Sequence, residues 1–501
     1  MADPLAIEFG REARRTALGT HSTPESDNEK LAGSQNDYIV AEPPRKPKWY
    51  RSVFFQMTIL GICCFLCPGI WNAMSTTGGG GTQSVSLVNA STSSTYSLMF
   101  LTGLLTPVLM CATSVRFTLV LGTLGFAPYV ASLYLHGKNG TEWFVIFGAV
   151  LCGITAGIFF ATEGSVALSY PIRSKQGIYI SYWLMYRVFG QLLGGAINLG
   201  INAKNNKRGH MSPDTYVVFV VLQCLAPVFA ILISQPSQVQ RRDGTPVIMH
   251  LSRTPLIELR ALLKTLLKSH VLLLQPLIFQ SGFGEALLGT YLANHFTVRV
   301  RALGSLLAAV VGALGNYVLG FYLDNQRTSI NFRAKSSFGA VYVMQLAWWA
   351  FGIYMMNYLH GNKHAIDWDE AIFHRAFACY ILLQLGFNLM YEYNYWIVGA
   401  SNDEPADIVR LASILRATES AGQAVAYGVN STDLRLDAIG GINIALCFCS
   451  IPLAWFVVRK TGILPDGTRL VKPPLYADSE EQRAELVRSG IISESDAKGT
   501  A

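Results

Sequence analysis

The sequence is short of charge. Charged residues make up 14% of its 501 positions, against 51% hydrophobic ones, whereas soluble domains carry roughly 25% charge. Enzyme signatures are missing as well. There is no G-x-x-x-x-G-K-[ST] loop, which excludes a built-in ATP-driven pump, and there is no G-x-S-x-G, no H-E-x-x-H and no paired C-x-x-C. Nothing calls for a metal or another cofactor. The nine cysteines lie mostly inside apolar runs, so no disulfide framework is expected. Cys63, Cys64 and Cys67 can share one helical face, but no His or carboxylate lies near them in the run, so they read as packing residues. All nine histidines fall in tails, loops or the ends of apolar runs, which argues against a mid-membrane histidine relay. A signal peptide is not expected either, because the first apolar run follows about 50 polar residues. The net charge of +7 sits beside apolar segments without interleaved aromatics, so no nucleic-acid partner is expected.

What the chain does have is repeated apolar blocks. A helix of roughly 20 apolar residues crosses about 30 Å of hydrocarbon. Spans are predicted at 52–74, 95–113, 117–136, 143–163, 177–200, 215–235, 271–294, 302–322, 336–358, 373–397, 410–429 and 439–458. The expected fold is therefore an all-α membrane protein with twelve transmembrane helices in two six-helix bundles. Its parts would be a disordered tail (1–50), a first bundle (51–235), a basic linker (236–270), a second bundle (271–458) and a closing tail (459–501). The first run, Met57–Gly81, passes through Pro68–Gly69 and Asn72 and ends in four glycines, Gly78–Gly81. It reads as a span whose outer end loosens into a movable lip.

Lysine and arginine favour the loops that lie on the side of the N-terminus, which places both termini in the cytoplasm. The Lys204–Arg208 cluster is the main exception. Three N-glycosylation tripeptides, at Asn89, Asn139 and Asn430, all fall in loops assigned to the other side. Asn89 is the favoured acceptor, because the other two hug the membrane. These features suit a multi-pass protein of the plasma membrane or of another secretory-pathway or vacuolar membrane. Within the linker, Leu256–His270 places leucines on one side and Glu258, Arg260, Lys264 and Lys268 on the other. It suits an anionic inner leaflet, and equally a packed connector.

Ionisable groups inside spans are costly and are functional candidates by default. They are Glu163, Arg187, Glu285, Glu392, Arg416 and Glu419. By depth, Glu392 and Arg416 are placed to pair. Glu285, Glu419 and Arg187 are expected to bind substrate or protons in a water-filled cavity, with Glu163, Glu392 and Asn72 along the same pathway. At the inner end of the eighth span, Gly320, Asp324 and Arg327 stand at the spacing of a loop signature in the major facilitator superfamily, where the carboxylate latches neighbouring helices.

Several ordered motifs strengthen that likeness: CPGIWNAMSTTGGGG, VRFTLVLGTLGFAPYVASLYL, GITAGIFFATEGSVALSYP, YWIVGASND and ESAGQAVAYGVN. Together they resemble the fungal Unc-ninety-three-like branch of the major facilitator superfamily over about residues 50–460. The chain departs from the family pattern at Glu163 and Glu419, where Gln is common. The resemblance implies two six-helix bundles around a central cavity. Two functions remain open. One is a secondary transporter or exporter of an unidentified small organic molecule, with proton coupling. The other is a non-transporting accessory or trafficking partner of another membrane protein. A plugged cavity would favour the second.

Overall fold

The structure, a computed structural model, describes residues 48–76, 85–171, 176–202, 213–241, 247, 249, 251–252, 254–325, 327–361, 364–402, 407–464 and 467–471. The Gly78–Gly81 lip, the Lys204–Arg208 cluster and most of both tails lie outside these residues.

The described residues are almost wholly helical. The first span is Val53–Cys64 and Ile70–Thr76, joined by one wide π-helical turn at Phe65–Gly69. Pro68 causes the widening: it has no N–H to donate, and its ring displaces the carbonyl one turn back. Gly69 then lets this turn touch the fifth span, where an added Cβ would lie 2.8 Å from the Gly190 Cα. The remaining first-half spans are Val85–Ala112, Val115–Thr123 continuing as Phe126–Asn139, Glu142–Ser169, Gln176–Asn202 and Pro213–Ala230. A linker helix, Pro255–Leu266, leads into Ser269–His295, Val298–Leu323, Ile330–Tyr358, Phe373–Ala400, Ile408–Asn430 and Leu436–Val458. One large apolar core, including Met57, Leu119, Phe159 and Phe219, is built on the first six spans and takes in Val409 and Ala424 of the eleventh. Two further cores, around Tyr291 and around Tyr393, belong to the last six.

Among the described residues, eight helices are both long and apolar enough to cross a membrane by hydropathy. The fifth, tenth and eleventh spans are long enough but fall short on hydropathy, and the sixth falls short on length. Those three long spans carry Arg187, Glu392, Arg416 and Glu419. Of these, Arg416 and Glu419 are buried in protein, and Arg187 and Glu392 are half-buried. In the eleventh span Arg416, Glu419, Ser420 and Gln423 are all buried.

The second span begins ten residues earlier than hydropathy suggests, at Val85 rather than 95. The added turns are rich in Ser and Thr. Hydroxyls there and in the next turn back-bond within the helix, from Ser94 to the Ala90 carbonyl (3.0 Å), Thr95 to Ser91 (3.1 Å) and Ser97 to Ser93 (2.8 Å). That satisfies the polar groups without water. Asn89 consequently lies in a helix and not in a loop.

The linker helix is packed as a connector. Glu258 is fully buried and accepts from Arg410 Nε at 2.8 Å and Nη2 at 2.9 Å. Asp407 accepts from Arg410 (2.9 Å), Lys268 (2.6 Å) and Thr265 (3.0 Å). Burial pushes the Glu258 and Asp407 carboxyls up, but the hydrogen bonds from Arg410, Ser252, Lys268 and Thr265 outweigh it, so both are held below their ordinary values. The expected division of leucines on one side and charges on the other is therefore only half right. Glu258 and Lys268 turn inward to Arg410 and Asp407, while Leu256, Ile257, Leu263 and Leu267 stay exposed beside Arg260 and Lys264.

Candidate functional site

Spans alternate in direction, so each half has one end on the face carrying the linker and one on the far face. On the far face the two halves meet directly. Asn89 of the second span donates to the Asn430 carbonyl at 3.0 Å, and the Asn430 amide donates to Thr290 Oγ1 at 3.1 Å. Ser93 Oγ donates to the Ala424 carbonyl at 2.8 Å. One layer deeper, Tyr96 and Tyr427 stack with centroids 5.7 Å apart. These groups tie the second span to the seventh and eleventh.

A glycan at Asn89 does not fit this arrangement. Its side chain is 2% exposed and its amide nitrogen is engaged across the seam. Asn430 is half-buried and engaged in the same way. Asn139 is exposed at the end of the third span. Exposure therefore favours Asn139 over Asn89, the opposite of the expected preference.

On the linker face the halves part around a cavity of about 650 Å³, within the range of small-molecule sites. Its wall includes Trp183 of the fifth span and Tyr391, Glu392, Tyr395 and Trp396 of the tenth. Asp324, Arg333 and Lys460 contribute from the ends of the eighth, ninth and twelfth spans. Gly320 and Asp324 of the expected latch line this cavity, but Arg327 does not; it is exposed. Arg333 is the cation within electrostatic reach of Asp324. It donates to the Leu323 carbonyl and, at 2.7 Å, to the Val471 carbonyl.

Between cavity and far face lies a charge cluster in which Glu163, Arg416 and Glu419 are buried and Arg187 and Glu285 half-buried. Arg416 and Glu419 form a 2.7 Å ion pair one turn apart on the eleventh span. The Arg416 guanidinium also stacks on Phe160 of the fourth span, 3.9 Å from the ring centre, which crosses the seam. Arg187 of the fifth span crosses it too, donating to Tyr391 Oη at 3.3 Å and lying 4.9 Å from that ring's centre. Glu163 accepts from the Cys64 thiol at 3.1 Å, and Glu285 accepts from Gln423. Arg187 lies within electrostatic reach of Glu163, Glu285 and Glu419.

The expected pairing of Glu392 with Arg416 does not occur. Arg416 takes the acid three residues along its own helix, which shares its face. Among the described residues Glu392 has no ion-pair partner, and its Oε2 is sealed off without a hydrogen bond. Of the six expected pathway residues, Glu392 alone lines the cavity. Glu285, Glu419, Glu163 and Arg187 form the cluster behind it. Asn72 is half-buried near the far end of the first span. Among the described residues, no group of three or more His, Cys, Asp or Glu could hold a metal ion.

Two features escaped the sequence reading. Phe160 and Tyr391 are the rings that receive the arginines, and nothing in the spacing marks them. The approach of the seventh and eleventh spans was also invisible, although glycines carry it. A Cβ on Gly282 would meet the Glu419 carbonyl, and one on Gly422 would meet that of Phe279. This contact brings Gln423 onto Glu285.

Known proteins place this architecture. A family model described as "Ion channel regulatory protein UNC-93" matches residues 89–323. The "Notoamide biosynthesis cluster protein O'" of Aspergillus versicolor is 38% identical over 84% of this chain and 92% of its own length. The "UNC93-like protein C922.05c" of Schizosaccharomyces pombe is 28% identical over 88% and 90%. Among solved structures, the xylose transporter XylE of E. coli aligns with a TM-score of 0.57 at 12% identity, over 81% of this chain and 97% of that one. The E. coli fucose:proton symporter FucP aligns with a TM-score of 0.54 at 13% identity, over 81% and 99%.

Proposed function

Because the chain belongs to the UNC-93-like family and has the major facilitator fold, we propose that it is a secondary transporter of a small organic molecule, working by rocking of its two halves. The observation that carries this reading is the cavity of about 650 Å³ between the halves, open at one face and closed at the other. That asymmetry is what alternating access requires. The cluster behind the cavity suits proton coupling. Three carboxylates, Glu163, Glu285 and Glu419, share two guanidiniums, Arg187 and Arg416, which leaves one acid in excess. A proton on that acid would balance the cluster, and its release would change how the halves attract each other. The charge bias of the loops supports a cytoplasmic linker face and cytoplasmic termini. The exposed stripe of Leu256, Ile257, Leu263 and Leu267 with Arg260 and Lys264 supports contact of the linker helix with an anionic inner leaflet.

The family description favours a second reading, an accessory subunit of another membrane protein. Against it stands the cavity, which is not plugged. The test is deletion of the gene with untargeted comparison of metabolites inside and outside the cell, followed by rescue. Wild type should restore the distribution of a small molecule. Glu285→Gln and Glu419→Gln should not, at unchanged abundance in the membrane. Rescue by both variants would remove the proton-coupling role, and an unchanged metabolite profile on deletion would favour the accessory reading.

A further inference from the structure

The cavity wall says something about what enters. Trp183, Tyr391, Tyr395 and Trp396 give it an aromatic wall on which a hydrophobic body could pack. Its charges are unevenly placed. Arg333, at the start of the ninth span, is held by two backbone carbonyls, and Lys460, just past the twelfth, is exposed. His270 is the second residue of the seventh span. These basic groups therefore all belong to the linker-face ends of their helices. Glu392 instead lies eight residues inside the end of the tenth span at Ala400, about 12 Å along the helix axis. It shares the cavity wall with Tyr391 and Tyr395, and among the described residues it forms no ion pair. The charge within electrostatic reach of it is a second acid, Asp324. Arg187 does not line the cavity and is taken up by Tyr391 and the buried acids.

An unpaired carboxylate among aromatic rings is poorly served by water alone. A ligand that brought a positive charge would pair with Glu392 while its body packed on the rings, and the rings themselves attract cations through their faces. We infer that the cavity takes hydrophobic organic cations, molecules with ring systems and one positively charged nitrogen or equivalent centre, with Glu392 as the counter-charge. An anionic molecule of the same shape would meet Glu392 and Asp324 and be repelled. This inference deepens the transporter reading and rests on it.

The test uses two probes of one shape and opposite charge, tetraphenylphosphonium and tetraphenylborate. Binding to the full-length protein in nanodiscs is measured by equilibrium dialysis against empty nanodiscs. Tetraphenylphosphonium should bind saturably, and tetraphenylborate should bind at least ten-fold more weakly. Glu392→Gln should weaken phosphonium binding at least ten-fold, and Glu392→Asp should recover part of it. Equal binding of the two probes to the wild type would overturn the inference without any variant. So would phosphonium binding that is unchanged in Glu392→Gln. Because binding is read without transport, the two proposals fail separately. Phosphonium binding without metabolite movement would overturn the transporter reading, and movement of a molecule with no phosphonium binding would overturn the cation assignment.

Discussion

The two faces of the seam between the halves are held by different chemistry. On the far face the contact is neutral: amides, hydroxyls and one pair of stacked tyrosines. On the linker face the halves part, and the charged clasp of Glu258, Arg410, Asp407 and Lys268 fastens the linker helix to the second half instead of closing the cavity. Neutral hydrogen bonds contribute about 1 kcal/mol each, so the far closure can be lost and remade. A buried ion pair broken on one side costs about 3 kcal/mol or more, so the clasp suits a fixed joint. On the transporter reading, the difference separates what would move from what would hold.

That contrast can be broken in order of size. Arg410→Met should leave Glu258 without its cation and lower stability by about 3 kcal/mol, read as a fall in the thermal midpoint of the purified protein. The same clasp sets a pH dependence. Glu258 and Asp407 titrate below their ordinary values of 4.5 and 3.8 when folded. Their contribution is therefore full above those values and is lost as pH falls through the lowered ones. The thermal midpoint should drop below about pH 4 in the wild type and drop less in Arg410→Met. Gly422→Val should force the seventh and eleventh spans apart by overpacking, a loss of about 2 kcal/mol, and should separate Gln423 from Glu285. Thr290→Val should weaken the far closure by about 1 kcal/mol with little change in thermal midpoint. Its effect should be faster maleimide labelling of a cysteine placed at Ser93. The smallest effect sharpens the far face from outside: Asn139→Gln should abolish any glycan-dependent gel shift, whereas Asn89→Gln should leave it intact.

Much of the architecture was legible in the sequence, because apolar length is a local property. The polar turns of Val85–Ala112 escaped, since Ser and Thr satisfied by their own helix look like a loop to hydropathy. The acids of the site were legible for the opposite reason: a carboxylate within an apolar run stands out. Their partners were not. Equal depth suggested Glu392 with Arg416, but neighbours one turn apart on a single helix face win over residues on different helices. Arg187 and Arg416 settled on Tyr391 and Phe160, contacts set by how spans cross and not by any spacing along the chain.

The proposed rocking of the halves is tested most directly by distance distributions between spin labels, with exposed Cys224 and Cys449 first replaced by Ser. One pair, Ala90→Cys with Thr432→Cys, reports the far face, and the other, Ile178→Cys with Gly399→Cys, reports the linker face. All four positions are exposed. Measured across pH and with tetraphenylphosphonium, both pairs should show two populations that shift in opposite directions, the far pair lengthening as the linker pair shortens. A single unchanging distance at both faces would contradict alternating access.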